Sequence, residues 1–148
     1  MLEKLRILVV EDVASIRKLV VRLLERLGCR EVYEAADTAT ARRHLGQYDF
    51  DVVLLDYELV GETGLGLVRA LRADPDSYNR DVPVIILTGH TDSHVILAAV
   101  QAGANSYMIK PVMPDRLGQR ILDVVATRAI PRIEEDAPDD PDIFWIED

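Results

Sequence analysis

The sequence predicts an α/β fold, a five-stranded parallel sheet doubly wound by helices on both faces. Three observations carry this. Short apolar runs alternate five times with longer amphipathic stretches. The runs are nearly continuous rather than strictly alternating, as strands buried on both faces must be. Strand–helix–strand units joined right-handed then give a parallel sheet covered on both sides. The clearest run, Val52-Val53-Leu54-Leu55, delivers Asp56 to its C-terminal end. In an open α/β sheet, that end is where ligands and chemistry sit.

The first strand is Leu5 to Val10, ending in the acids Glu11 and Asp12. A helix follows, with an apolar stripe of Val13, Ile16, Val20, Leu23, Leu24 and Leu27 and with Gly28 as its stop. Glu31 to Ala35 is the second strand. Asp37 caps a second helix that runs to about Leu45 and is closed by Gly46. After the Asp56 strand, Tyr57 to Thr63 reads as a loop. Gly64 opens a third helix with Leu65, Val68 and Leu71 inward, and Asp74-Pro75-Asp76 ends it. Val82 to Leu87 is the fourth strand, with Pro83 tolerable at its start, and Thr88 ends it. The fourth helix spans Ser93 to Ala102 and stops at Gly103. Asn105 to Ile109 is the fifth strand, followed by Lys110-Pro111 and a fifth helix from Pro114 to Arg128.

With 148 residues and 49% hydrophobic content, the chain can fill the core of one domain, placed at residues 1–130. Residues 131–148 read as an acidic C-terminal tail, and no output domain is expected. The net charge of −9 argues against nucleic acid as a partner. Most of it lies in the tail, in Glu134, Glu135, Asp136, Asp139, Asp140, Asp142, Glu147 and Asp148 against Arg132. No run reaches membrane-spanning length and no signal-peptide profile opens the chain, so no membrane contact and a cytoplasmic location are expected. The single Cys29 has no internal disulfide partner and reads as a small buried hydrophobe.

Taking the strand order as 2-1-3-4-5, the first and third strands are neighbours at the switch point. Glu11, Asp12 and Asp56 then face one crevice. Such a cluster repels itself unless a cation enters. Hard oxygen donors with room for water suit Mg²⁺. His44, His90 and His94 show no ligand spacing, so no zinc site is expected. Lys110 adds a positive charge and Thr88 a hydroxyl. Taken singly, Thr88 reads as a strand-end hydroxyl, Lys110 as a solvated lysine and Tyr107 as core. Together, a carboxylate nucleophile, Mg²⁺, a lysine and a hydroxyl are the parts for phosphoryl transfer onto an aspartate.

These residues closely resemble the receiver domain of two-component response regulators, in its single-domain, chemotaxis-regulator-like form. The resemblance covers about residues 5–128. It rests on Glu11-Asp12, Asp56, Gly64, Thr88, Ala102-Gly103-Ala104, Tyr107 and Lys110-Pro111 in this order and spacing. It implies a flavodoxin-like (βα)5 fold and a signalling switch that catalyses only its own phosphorylation and dephosphorylation. Asp56 would accept a phosphoryl group from a sensor histidine kinase. Asp12 and Asp56 would bind Mg²⁺ directly, Glu11 through water, and Glu58 through its backbone carbonyl. Lys110 would hold phosphoryl oxygens, Thr88 would move to bond them, and Tyr107 would swing inward behind it. The Lys110-Pro111 bond would be cis. One departure is Leu59-Val60, where many receivers carry Met-Pro. Glu58 and His90 stand at the positions that tune hydrolysis, and an acid at Glu58 would repel or orient attacking water.

The expected partners are a sensor histidine kinase or a histidine phosphotransfer protein, and a downstream protein that reads the face of the fourth helix, fifth strand and fifth helix. A homodimer stays open. The fourth helix is apolar all round at Val95-Ile96-Leu97-Ala98-Ala99-Val100, and exposed Val95 and Ile96 are expected to contribute to that face. The tail ends in Ile143-Phe144-Trp145-Ile146, either free or docked. Three alternatives remain: a phosphorelay intermediate, a phosphorylation-independent adaptor, and a haloacid-dehalogenase-type phosphatase. The last wants a second aspartate where this chain has Glu58, and a longer chain for a substrate cap.

Overall fold

The computed structural model describes residues 1–89 and 92–128. Five strands form one parallel sheet: β1 (Arg6–Val10), β2 (Glu31–Ala35), β3 (Val52–Asp56), β6 (Val84–Thr88) and β7 (Ser106–Ile109). Their order is β2-β1-β3-β6-β7, which is the anticipated 2-1-3-4-5 when the sheet strands alone are counted. Two further strands, β4 (Glu58–Leu59) and β5 (Glu62–Thr63), make a small antiparallel hairpin after β3. The helices are α1 (Ala14–Arg26), α2 (Thr38–Gln47), α3 (Leu65–Ala73), α4 (Ser93–Ala102) and α5 (Pro114–Arg128).

The period of two along each strand splits the core into two layers. Ile7, Val9, Val52, Leu54, Ile85 and Leu87 pack with Val20, Leu23 and Leu24 of α1 and with Leu117, Ile121 and Val124 of α5. Leu8, Val10, Val53, Leu55 and Ile86 pack on the other side with Leu45 of α2, Leu65, Val68 and Leu71 of α3, and Ala99 and Ala102 of α4. Both faces of β3 are thus sealed, and each such leucine or valine stabilises the fold by about 1.5–3 kcal/mol. Cys29 is buried, as anticipated. Among the described residues, no helix is long and apolar enough to cross a membrane.

Several boundaries differ from the sequence reading. Val13 is exposed and serves as the N-cap of α1 rather than as part of its buried stripe. Asp37 caps α2 as expected, its carboxylate accepting from the Thr40 N–H. Gly46, however, lies inside α2, which continues to Gln47. The end of α2 is set by tertiary contacts: the buried Asn79 amide donates to the Leu45 and Tyr48 carbonyls. Tyr57 to Thr63 is the β4–β5 hairpin rather than an open loop. The fourth sheet strand starts at Val84, not Val82, and the fifth at Ser106, because the Asn105 side chain caps the edge by accepting from the Val84 N–H. Val95 is buried at 5% exposure and Ile96 is half-buried; Leu97, at 55%, is the large apolar residue of α4 that faces outward, beside the exposed Ser93, His94 and Gln101. A helix apolar on every side carries no signal of its own rotation, and packing of Val95, Ala99 and Ala102 on the core chose it. His90 and the tail, with Ile143 to Ile146, lie outside the described residues.

Candidate phosphoacceptor site

Neighbouring parallel strands bring their C-terminal ends together. β1 ends beside β3, with Val10 paired to Leu55, so Glu11 and Asp12 come next to Asp56. β3 pairs Asp56 with Leu87, which places Thr88 one residue further on. β6 pairs Thr88 with Ile109, so Lys110 follows directly, and the Lys110 N–H donates to the Thr88 carbonyl at 2.8 Å. The peptide bond from Lys110 to Pro111 is cis.

Lys110 Nζ donates to Glu11 Oε1 and to Asp56 Oδ1, each at 2.9 Å. Glu11 is 1% exposed and Asp56 5%. Burial raises the Glu11 carboxyl above its ordinary pKa; Lys110 pulls it down in part, while the Asp56 carboxylate pushes it further up. Burial opposes the charge on Lys110, but Glu11 and Asp56 outweigh it and hold the ammonium above the usual lysine range. The structure therefore keeps a cation locked between two carboxylates.

Among the described residues, Glu11, Asp12 and Asp56 form the one acidic, histidine or cysteine group arranged to hold a metal ion, with one oxygen from each lying within 4.8 Å of the others. Three hard oxygen donors this close suit Mg²⁺, and a single ammonium leaves the cluster net negative. The residues therefore fit the ion. They line an open cleft together with Glu58, Leu59, Val60, Gly89 and the exposed Val13.

The cleft is braced by bonds that residue type did not signal. The Val13 N–H donates to Glu11 Oε2 at 3.2 Å, and Arg17 donates to the Glu11 carbonyl at 2.8 Å. The Val60 N–H donates to Asp12 Oδ2 at 2.9 Å. Gly64 packs against the end of β3 so closely that a Cβ there would sit 2.5 Å from the Asp56 carbonyl oxygen. Only a residue without a Cβ fits.

Thr88 and Tyr107 lie behind the acids. Thr88 is buried at the end of β6, and Tyr107 is buried in the core layer that includes Leu55 and Ile86. Tyr107 is already inward in this structure. Its carbonyl accepts from Arg120 of α5 at 2.8 Å, and the same guanidinium nitrogen donates to Ser106 Oγ at 2.7 Å. Arg120 is almost fully buried, and nothing in the helical pattern of α5 marked it as a residue turned inward.

The response regulator receiver domain family matches residues 7–122. The chain belongs to this family. It is 34% identical over 119 residues to chemotaxis protein CheY-3 of Vibrio cholerae, covering 80% of this chain and 90% of that protein. It is 35% identical over 117 residues to chemotaxis protein CheY of Pseudomonas aeruginosa, covering 79% of this chain and 93% of that one. The solved structure of chemotaxis protein CheY4 of Vibrio cholerae superposes with a TM-score of 0.74 at 30% identity, over 81% of this chain and 98% of the other. Receiver domains belong to two-component signalling, and the flavodoxin-like fold is theirs. Membership removes the haloacid-dehalogenase reading.

Proposed function

We propose that Asp56 accepts a phosphoryl group from the phosphohistidine of a sensor histidine kinase, or of a histidine phosphotransfer protein in a relay, and that this switches a protein-binding surface. The supporting observation is Lys110 Nζ, 2.9 Å from both Glu11 and Asp56, at the mouth of an acidic cleft. Asp12, Asp56 and the Glu58 backbone carbonyl would hold Mg²⁺ directly, and Glu11 through water. Bound there, Mg²⁺ supplies the positive charge that lets an anionic phosphoryl group approach three carboxylates.

The Asp56 carboxylate attacks phosphorus in line with the donor's P–N bond. An O–P bond forms, the P–N bond breaks, and its electron pair leaves with the imidazole nitrogen. Charge on the transferring group spreads over its three equatorial oxygens. Lys110, held protonated, binds one of them. The Thr88 hydroxyl then bonds another, and Tyr107 packs behind it. Arg120 ties the Tyr107 carbonyl to α5, and through it a change at Thr88 and β7 reaches the α4–β7–α5 face. No turnover of a free substrate is required.

The test is intact mass after incubation with Mg²⁺ and acetyl phosphate. Wild type gains one acid- and base-labile phosphate; Asp56→Asn gains none, and EDTA prevents the gain. An equal adduct on Asp56→Asn, or none on wild type with Mg²⁺ shown to bind, overturns the proposal.

A further inference from the structure

The tip of the β4–β5 hairpin overhangs the cleft; the Glu58 N–H at its base donates to Asp56 Oδ1 at 3.4 Å, and a second backbone group, at the tip, reaches Asp12. Val60 is 84% exposed, so its side chain packs on nothing of consequence. Its N–H, however, donates to Asp12 Oδ2 at 2.9 Å across 48 residues of sequence. Asp12 is half-buried in the loop that follows β1.

We infer that the Val60 backbone N–H is a positioning group for the cation site: it holds one Asp12 oxygen so that the other is presented to the ion. This rests on the phosphoacceptor reading above, in which Asp12 is a direct ligand. An aspartate in a surface loop samples several side-chain rotamers, and binding an ion selects one. A fixed donor on the second oxygen makes that selection beforehand. It also favours single-oxygen ligation, as the octahedral geometry of Mg²⁺ prefers, over the two-oxygen mode open to larger Ca²⁺. Donors behind metal-ligating groups are typically worth 10- to 100-fold in metal affinity.

Val60-Gly61 stands where many receivers have Pro as the first residue, and a proline has no N–H to give. Hairpin geometry supplies a clean perturbation. Leu59 pairs with Glu62, so Val60 and Gly61 are the two central turn residues. Gly61 has φ +79°, and among the described residues no non-glycine residue, Val60 included, has positive φ. That is the φ pattern of a type II turn, which accepts proline at its first central position. Val60→Pro therefore removes the donor while the turn survives.

The experiment is calorimetric titration of the full-length protein with Mg²⁺ and, separately, Ca²⁺. The variants are Val60→Pro, Val60→Ala, Asp12→Asn and the Val60→Pro/Asp12→Asn double. Val60→Pro is expected to weaken Mg²⁺ binding about tenfold or more, and Ca²⁺ binding less. Val60→Ala, which keeps the N–H, retains the tighter binding. In the Asp12→Asn background, Val60→Pro has a smaller effect than in wild type, because the carboxylate with one oxygen held and the other presented is gone. Wild-type affinity in Val60→Pro overturns the inference and leaves the phosphoacceptor reading standing. So does equal weakening in Val60→Ala, or a full Val60→Pro effect in the Asp12→Asn background. A wild type that binds no Mg²⁺ overturns both.

Discussion

Replacing Gly64 with alanine tests how Asp56 is presented. A Cβ at this position would lie 2.5 Å from the Asp56 carbonyl oxygen, 2.9 Å from Leu55 Cγ and 3.2 Å from Leu55 Cδ1. The first neighbour is backbone and cannot rotate away. Asp56 is paired with Leu87 in the sheet, and the next N–H, that of Tyr57, donates to the Leu87 carbonyl. The Gly64 N–H itself donates to the Tyr57 carbonyl at 2.8 Å, so the clash acts on the whole β3-to-α3 crossing. Overpacking of this kind typically costs about 1–3 kcal/mol. For a domain of this size, that lowers the unfolding midpoint by about 4–12 °C. Gly46→Ala is the control. Gly46 lies in helix α2 with nothing within 4 Å of the added Cβ, so alanine is expected to stabilise by up to about 1 kcal/mol through helix propensity. The assay is thermal unfolding followed by far-ultraviolet circular dichroism, with the initial rate of acetyl-phosphate labelling measured alongside. Gly64→Ala is expected to unfold earlier and to label more slowly, because the strand end carrying Asp56 has moved. A midpoint within about 1 °C of wild type together with an unchanged labelling rate would refute the reasoning that close backbone approach is why glycine stands here.

Two further predictions concern the frame around the site. Asn79→Ala orphans the buried Phe50 N–H and removes both amide bonds to the end of α2; a lower urea midpoint with unchanged slope is expected, at about 1–3 kcal/mol for the orphaned donor. Burial alone would raise the Glu34 carboxyl, but Lys18 and Arg17 outweigh it and hold its pKa below the ordinary value. Its stabilising share is therefore present above the ordinary carboxyl pKa and is lost as pH falls through the folded value. Glu34→Gln is expected to lower the melting temperature at pH 7, with the difference from wild type vanishing as the pH is taken below that folded value; a difference constant across the titration would show that charge is not its source.

The sheet and the grouping of its strand-end residues were legible from the chain because both depend on local order. A strand buried on two faces needs an unbroken apolar run, and Val52 to Leu55 provides one. In a parallel sheet, the residue after each run falls at the same edge, so Glu11, Asp12, Asp56, Thr88 and Lys110 could be gathered by their positions alone. Val95 was misplaced because a helix apolar on all sides has no sequence period from which to read its outward face. Gly46 was read as a stop because the feature that ends α2 is the amide of Asn79, more than thirty residues away. The bonds that brace the cleft could not be read at all. The Val60 N–H on Asp12 is a backbone group, identical in every residue but proline, and Arg120 reaches inward from an otherwise amphipathic helix. Residue order determined the strands and the acids at their ends, the proposed phosphoacceptor among them; tertiary packing alone decided which backbone donors and buried cations hold those acids in place, because such partners meet only once the chain has closed.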